Sequence, residues 1–458
     1  MNRGITEIMK LQRGFYETGV TKQYRFRMKA LERLEKALEE YEEELKQALK
    51  ADLNKSPSES YMAEIGLTKT ELTYVKKHLH KWIAPQKVAT PMAQFPAESF
   101  VVPEPYGVVL IMAPWNYPVL LCLEPLIDAI AAGNCAVLKP SAYAPATSAI
   151  IKKVLKSIYP EKFVAVVEGG REENAALLEQ RFDYIFFTGG VTVGRTVLEK
   201  AAKHLTPVTL ELGGKSPCVV DKTANVEMAA KRITFGKLLN AGQTCVAPDY
   251  LLVHADIKEE LLKCLCAEFK QMLGENPLEN PDYPKIINKK HFERILHLIE
   301  GEKIVTGGVY KEETRQIAPT VLDEISLHSA VMQEEIFGPV LPVLTFETKD
   351  EIKEIISSFE KPLAFYLFTQ DENMEKWVLE VFSFGGGCIN DTIMHLASSH
   401  LPFGGVGYSG MGRYHGKEGF YTFSHRKSVL KSSYNPDIPL RYHPYSAAKD
   451  KIVRLFLR

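Results

Sequence analysis

The chain has no surplus of either charge. Among its 458 residues, 56 Lys and Arg stand against 57 Asp and Glu, a formal net charge of −1. A nucleic-acid partner ordinarily leaves a basic excess or stripe, so the expected partners are small molecules or other proteins. No window approaches the roughly 18 uninterrupted apolar residues of a membrane span. The amino-terminal stretch MNRGITEIMKLQRGF has no apolar signal core, and a cytoplasmic location is expected. The seven cysteines (122, 135, 218, 245, 264, 266 and 388) are odd in number, and no pair has metal-ligand spacing. No metal site is therefore expected, and six of the seven read as small buried hydrophobes in a reducing compartment. There is no internal repeat and no low-complexity segment. A chain this long does not close around one core, so roughly two or three domains are expected.

What the sequence has is periodicity. Met28, Leu31, Leu34, Leu38, Tyr41, Leu45 and Leu49 recur at steps of three or four, which predicts one helix from Thr21 to Lys50. Glu39, Glu40, Glu42, Glu43 and Glu44 then form its solvated face. From Tyr106 short apolar runs take over: Val108 to Met112, Ala136 to Leu138, Phe163 to Val167 and Tyr184 to Phe187 read as buried strands. Helical stretches, Val119 to Ala132 and Thr147 to Ile158, lie between them. That alternation predicts a parallel sheet covered on both faces. A second series follows Glu211, with strands at Pro217 to Val220 and Tyr250 to Val253 and helices at Val226 to Leu239 and Lys258 to Leu273. The proline-rich stretch Trp82 to Glu104 reads as an extended excursion.

Several positions carry candidate chemistry, each beside a bland alternative. Thr188-Gly189-Gly190-Val191-Thr192-Val193-Gly194 follows a strand and precedes a helix beginning near Arg195, an arrangement that can cradle phosphate or simply turn the chain. A nucleophilic thiol needs flexible surroundings and a lowered pKa; the glycine in Gly242-Gln243-Thr244-Cys245 supplies the first for Cys245, and the bland alternative is a buried cysteine like the other six. Glu211 ends an apolar run beside Gly213 and Gly214 and is either a general base or a turn cap. Asn116, between Pro114 and Pro118, is either an oxyanion donor or an Asx turn. Glu335 and Phe337 pair a carboxylate with an aromatic near a possible helix end. His291, His395, His400 and His415 show no ligand pattern and read as structural.

Taken in order, Pro114-Trp115-Asn116, Lys139-Pro140-Ser141, Gly189 to Gly194, Glu211-Leu212-Gly213-Gly214-Lys215, Gly242-Gln243-Thr244-Cys245 and Glu335-Ile336-Phe337-Gly338-Pro339 strongly resemble the aldehyde dehydrogenase superfamily, from about residue 5 to about residue 432. Pro281-Asp282-Tyr283, Asn390-Asp391 and the segment from Leu401 to Lys417 resemble its class 3 branch. The resemblance implies an α/β fold with a Rossmann-type cofactor domain (1–81 and 105–209), an α/β catalytic domain (210–407), a small β bridging or oligomerisation extension (82–104 and 408–440) and a C-terminal tail (441–458).

It also implies a homodimer that oxidises medium- to long-chain aliphatic or aromatic aldehydes with NAD or NADP. In that reading Cys245 attacks the aldehyde, Asn116 and the Cys245 N–H hold the oxyanion, and Glu211 activates the water that hydrolyses the thioester. Lys139 meets the adenosine ribose, Gly189, Gly190, Val191 and Gly194 lie near the pyrophosphate, and Glu335 and Phe337 hold the nicotinamide riboside. NAD-preferring members often carry a glutamate three residues after the lysine; here that residue is Ala142, which leaves the choice of cofactor open. Two rival readings are a CoA-acylating enzyme, which Glu211 argues against, and an inactive binding or structural protein on the same scaffold, which the joint presence of Cys245, Glu211 and Asn116 argues against.

Overall fold

The computed structural model describes residues 2–457. Its first sheet has six strands, in the spatial order Gly410–Met411, Val208–Glu211, Tyr184–Thr188, Val108–Met112, Cys135–Lys139 and Val164–Val166. Every pairing is parallel except that of the short edge strand Gly410–Met411. Val108–Met112, Cys135–Lys139 and Tyr184–Thr188 are buried at every position, which is why they read as unbroken apolar runs. From the central strand Val108–Met112 the chain winds outward to one side, then returns to fill the other. Ligands of such sheets sit at the carboxyl ends of the strands beside this reversal. Asn116, Lys139, Gly189 and Glu211 all follow or end strands on that edge.

The second sheet has seven strands, in the order Lys303–Thr306, Thr320–Asp323, Val340–Phe346, Tyr250–His254, Pro217–Val220, Ala364–Phe368 and Gly386–Ile389. Only Lys303–Thr306 runs antiparallel. Leu210 and Glu211 lie in the first sheet, so the chain passes between sheets after Glu211 rather than at residue 210. The link carries Gly213, Gly214 and Lys215.

The helices that matter for the site are α1 (Asn2–Glu17), α2 (Tyr24–Glu40), α3 (Glu42–Leu53), α4 (Gly66–Trp82), α5 (Leu120–Ala132) and α6 (Val191–Ala202). Two expectations are corrected here. The single helix expected from Thr21 to Lys50 is broken at Tyr41, whose φ of −100° and ψ of 12° end α2. The break places Glu42, Glu43 and Glu44 in the first turn of α3, where the helix dipole favours them, and lets α3 turn onto helix Pro145–Ile158. Leu31, Leu34, Leu38, Leu45 and Leu49 stay buried on both sides of it. The second correction concerns α6, which starts at Val191 and not near Arg195. Gly194 is therefore a helical residue, and a Cβ there would stand 2.7 Å from Leu212 Cδ2.

Trp82 is buried at the end of α4, so the excursion begins after it. It supplies strands Gln86–Val88 and Glu98–Pro105 to a three-stranded antiparallel sheet completed by Ser424–Lys431. Among the described residues no helix is long and apolar enough to cross a membrane, and no group of three or more His, Cys, Asp or Glu is arranged to hold a metal ion.

Candidate active site

Cys245 follows three consecutive residues in the left-handed region: Asn240 (φ 52°), Ala241 (φ 51°) and Gly242 (φ 72°). The first two bear side chains in a conformation that costs about 1–2 kcal/mol each, so the surroundings must hold them. Asn240 donates from Nδ2 to the Asn116 and Gln243 carbonyls at 2.9 and 3.0 Å, and its own N–H is held by Glu59 at 2.7 Å. Gln243 donates to the Asn240 and Lys285 carbonyls and accepts from Ile287 N–H. A Cβ on Gly242 would sit 2.2 Å from the Gly338 carbonyl oxygen, so only glycine passes there. Beyond Cys245, Tyr366 holds the Val246 carbonyl and Lys237 the Pro248 carbonyl.

Asn116 is buried, and its Nδ2 donates to the Gln243 carbonyl at 3.1 Å. This ties the loop after the central strand to the cysteine loop and replaces the Asx turn. An amide carries two N–H donors, so a second remains for a ligand. Next to it, Tyr117 shares a 2.6 Å hydroxyl contact with Thr244, the neighbour of Cys245.

The thiol opens onto a cavity of about 270 Å³, walled by Met62, Tyr117, Leu120, Leu121, Phe235 and Leu239 among others. His415 lies in the same wall, its Nε2 3.3 Å from Glu124, and burial pulls its pKa down to about 3. It is thus a neutral wall residue. The Cys245 pKa is not lowered, as a nucleophile requires, but pushed up to about 12 by burial and by Glu335 and Glu211. Hydrogen bonds from the Cys245 and Val246 backbone pull it back by less, so a bound ligand or base must shift the thiol toward thiolate.

Glu211, 2% exposed, ends its strand with neither carboxylate oxygen hydrogen-bonded. It caps no turn; burial raises its pKa well above the ordinary value. Such a group costs stability unless function keeps it. Glu335 lies just past the end of the short helix Ala330–Gln333, whose C-cap is Glu334, in the loop that leads to strand Val340–Phe346. It accepts from the Gly214 N–H, and burial with Asp249 nearby raises its pKa to about 8. A Cβ on Gly213 would stand 2.1 Å from Glu335 Oε2. Phe337, at φ 48°, packs edge-on to Trp115 at 5.3 Å.

Two residues to which the sequence assigned no role, Lys215 and Asp249, hold this loop. Buried Lys215 pairs with Asp249 and donates to the Val331 and Glu334 carbonyls at 2.9 and 3.0 Å, while Asp249 Oδ1 accepts from Ile336 N–H at 2.9 Å. A lysine after two glycines gives no signal of this role.

Of the positions expected near a dinucleotide, Lys139 ends its strand buried, with Nζ on the Pro140 carbonyl at 2.8 Å. Burial lowers its pKa. Gly189 does not offer its N–H to a phosphate, because it donates to the Glu211 carbonyl at 3.0 Å. Gly190 opens α6 and brings no side chain to cap it. The Val193 and Gly194 N–H groups donate to the Gly190 carbonyl, which leaves those of Val191 and Thr192 turned to suit an anion. An open helix terminus and a lysine at the carboxyl ends of the first sheet's strands, with the Glu335 carboxylate beside Gly213 on the link to the second sheet, fit a dinucleotide.

The aldehyde dehydrogenase family profile matches residues 16–429. A Staphylococcus aureus 4,4'-diaponeurosporen-aldehyde dehydrogenase is 47% identical over 448 residues, covering 97% of each chain. The Macaca fascicularis aldehyde dehydrogenase family 3 member A2 is 44% identical, covering 98% of this chain and 93% of that one. A substrate-bound structure of Staphylococcus aureus AldH superposes with a TM-score of 0.97 at 46% identity, covering 99% of both chains. A Staphylococcus aureus betaine aldehyde dehydrogenase in complex with NAD+ does so at 0.84 and 27% identity, covering 96% of this chain and 89% of that one. With a thiol on an apolar cavity, two buried carboxylates beside it and an open helix terminus at the carboxyl edge of the six-stranded sheet, the chain belongs to the aldehyde dehydrogenase family, in its class 3 branch.

Proposed function

We propose that this protein oxidises medium- to long-chain aliphatic or aromatic aldehydes to carboxylates with NAD or NADP. The observation that carries the reading is Cys245 on the wall of an apolar cavity, with Glu211 and Glu335 close enough to raise its pKa. Apolar walls favour a hydrocarbon or aromatic substituent by the area they take from water. Cys245 attacks the aldehyde carbon. The free N–H of Asn116 and the Cys245 N–H hold the oxygen as it becomes an oxyanion. Bound NAD or NADP supplies the hydride acceptor. Glu211 takes the proton of the water that hydrolyses the thioester; its raised pKa makes it a strong proton acceptor once ionised. This base favours water over CoA as the acyl acceptor.

Lys139 and the start of α6 hold the adenosine side of the cofactor, and Glu335 holds the nicotinamide ribose with Phe337 beside the ring. Ala142, exposed three residues after Lys139, offers no carboxylate to bind a 2′-hydroxyl or repel a 2′-phosphate, so both cofactors serve. The six-stranded half carries the cofactor and the seven-stranded half the thiol. The three-stranded sheet joins two copies into a cytoplasmic homodimer.

The test is stopped-flow cofactor reduction on an aldehyde series, with NAD and NADP in parallel. Cys245→Ala is expected to lose turnover while still binding cofactor. Glu211→Gln is expected to give a reduction burst and then a steady state slowed about a hundredfold or more. Turnover above a few per cent in Cys245→Ala, or undiminished turnover in Glu211→Gln, sinks the assignment concerned.

A further inference from the structure

Lys55 and Glu64 are fully buried and far from the sequence motifs, yet both reach the Asn116 loop. Lys55 follows α3. Glu64 lies in the single π-helical turn Tyr61–Ile65 just before α4. Such turns recur at functional sites. The Lys55 ammonium touches Glu64 Oε1 at 2.6 Å, donates to the Asn116 carbonyl at 2.8 Å and stands 3.9 Å from the centre of the Tyr117 ring. The other oxygen, Glu64 Oε2, accepts from Val119 N–H at 2.8 Å and Leu120 N–H at 3.3 Å, where α5 begins. One ion pair thus grips both ends of the segment Asn116 to Leu120. Asn240 closes the arrangement by donating to the same Asn116 carbonyl.

A buried pair of this kind is a poor source of stability, since desolvation consumes most of its attraction. Its geometry serves another purpose. The Asn116 side chain has few rotamers once its backbone is fixed, and an oxyanion donor displaced by an ångström loses most of its effect. We propose that Lys55 and Glu64 are positioning residues that set the Asn116 amide for the oxyanion, acting on catalysis only through Asn116. The inference rests on the reading of Asn116 as an oxyanion donor.

The experiment is a double-mutant cycle. Lys55→Met/Glu64→Gln removes both charges together, so neither is stranded, and Gln keeps an acceptor for Val119 and Leu120. Asn116→Ala is expected to lower kcat about a hundredfold. The paired variant is expected to lower kcat about tenfold, with little change in the KM for aldehyde or in cofactor binding by fluorescence titration. In the Asn116→Ala background it is expected to cost almost nothing more. Should the paired variant fail to fold, Lys55→Met alone gives the same comparison, because burial already raises the Glu64 pKa and the acid can take up a proton while still accepting from Val119 and Leu120. An equal loss in both backgrounds, or unchanged kcat with Asn116 present, overturns the clamp and leaves the Asn116 reading standing. Wild-type kcat in Asn116→Ala overturns both.

Discussion

Asp128 on α5 is fully buried, and neither of its carboxylate oxygens finds a hydrogen-bond partner. Glu71 from α4 and Glu124 one turn earlier on α5 face it, as does Gly419, where a Cβ would stand 1.9 Å from Oδ2. Burial first, then these two acids, raises its pKa well above the ordinary 3.8. The folded protein therefore holds a proton here that the unfolded chain releases above that value. Since the folded state binds more protons, this group makes stability fall as pH rises through the interval between the two pKa values. His415 acts in the opposite direction, but only below its ordinary 6.5. As pH rises from the ordinary 3.8 toward the raised value, Asp128→Asn should thus gain stability over the wild type, by at most about 1.4 kcal/mol per pH unit. Urea unfolding of both proteins at several pH values measures the gap. A gap that does not widen with pH means that Asp128 is ionised in the folded protein.

At the scale of elements, the link between the cysteine loop and the cofactor loop passes through one glycine. Gly242 lies at φ 72°, with the Gly338 carbonyl where its Cβ would be; Gly274, at φ 86°, has nothing within 4 Å. Both substitutions to alanine pay for a positive φ, about 1–2 kcal/mol at left-handed Gly242 and about 1–3 kcal/mol at Gly274, whose ψ of −177° is extended backbone that suits glycine alone. Only Gly242→Ala also pushes the Cys245 loop from the segment carrying Phe337. It should lower kcat/KM more than tenfold and weaken cofactor binding, while Gly274→Ala loses stability and keeps its kinetics. Equal kinetics in the two variants would show that the loops tolerate separation.

This contact also shows where sequence reading stops. The buried strands were legible because parallel strands covered on both faces are continuous apolar runs, and Asn116, Glu211 and Cys245 because motif order singles them out. The break at Tyr41 was not, because the apolar spacing runs through it undisturbed. Lys55, Glu64, Lys215 and Asp249 were not, because a lone charge in a sequence reads as surface until its burial is seen. The pairing of Glu98–Pro105 with Ser424–Lys431 was not, because its partners are separated by more than 300 residues and their burial is partial.

At the scale of the whole molecule, that last sheet is the proposed bridge between two copies. Glu98–Pro105 is its middle strand, so Gln86–Val88 and Ser424–Lys431 are both edges. Ser424–Lys431 is eight residues long and exposed along most of its length. An edge of this length presents a row of unpaired N–H and C=O groups, which proteins cover or use for assembly. Apolar side chains crowd the same sheet and the turn beside it: Val88 is 48% exposed, Met92 70%, Phe95 57% and Leu430 49%. A face of this kind on a monomer is a liability and in a homodimer an interface. The protein should sediment at micromolar concentration with twice the 51.5 kDa mass of one chain. Leu430→Lys sets two like charges near each other across a two-fold contact and should shift the boundary toward monomer, more so at low salt. Sedimentation velocity on the two proteins decides the matter. A wild-type monomer, or a variant that dimerises as tightly as its parent, would leave this sheet without the bridging role.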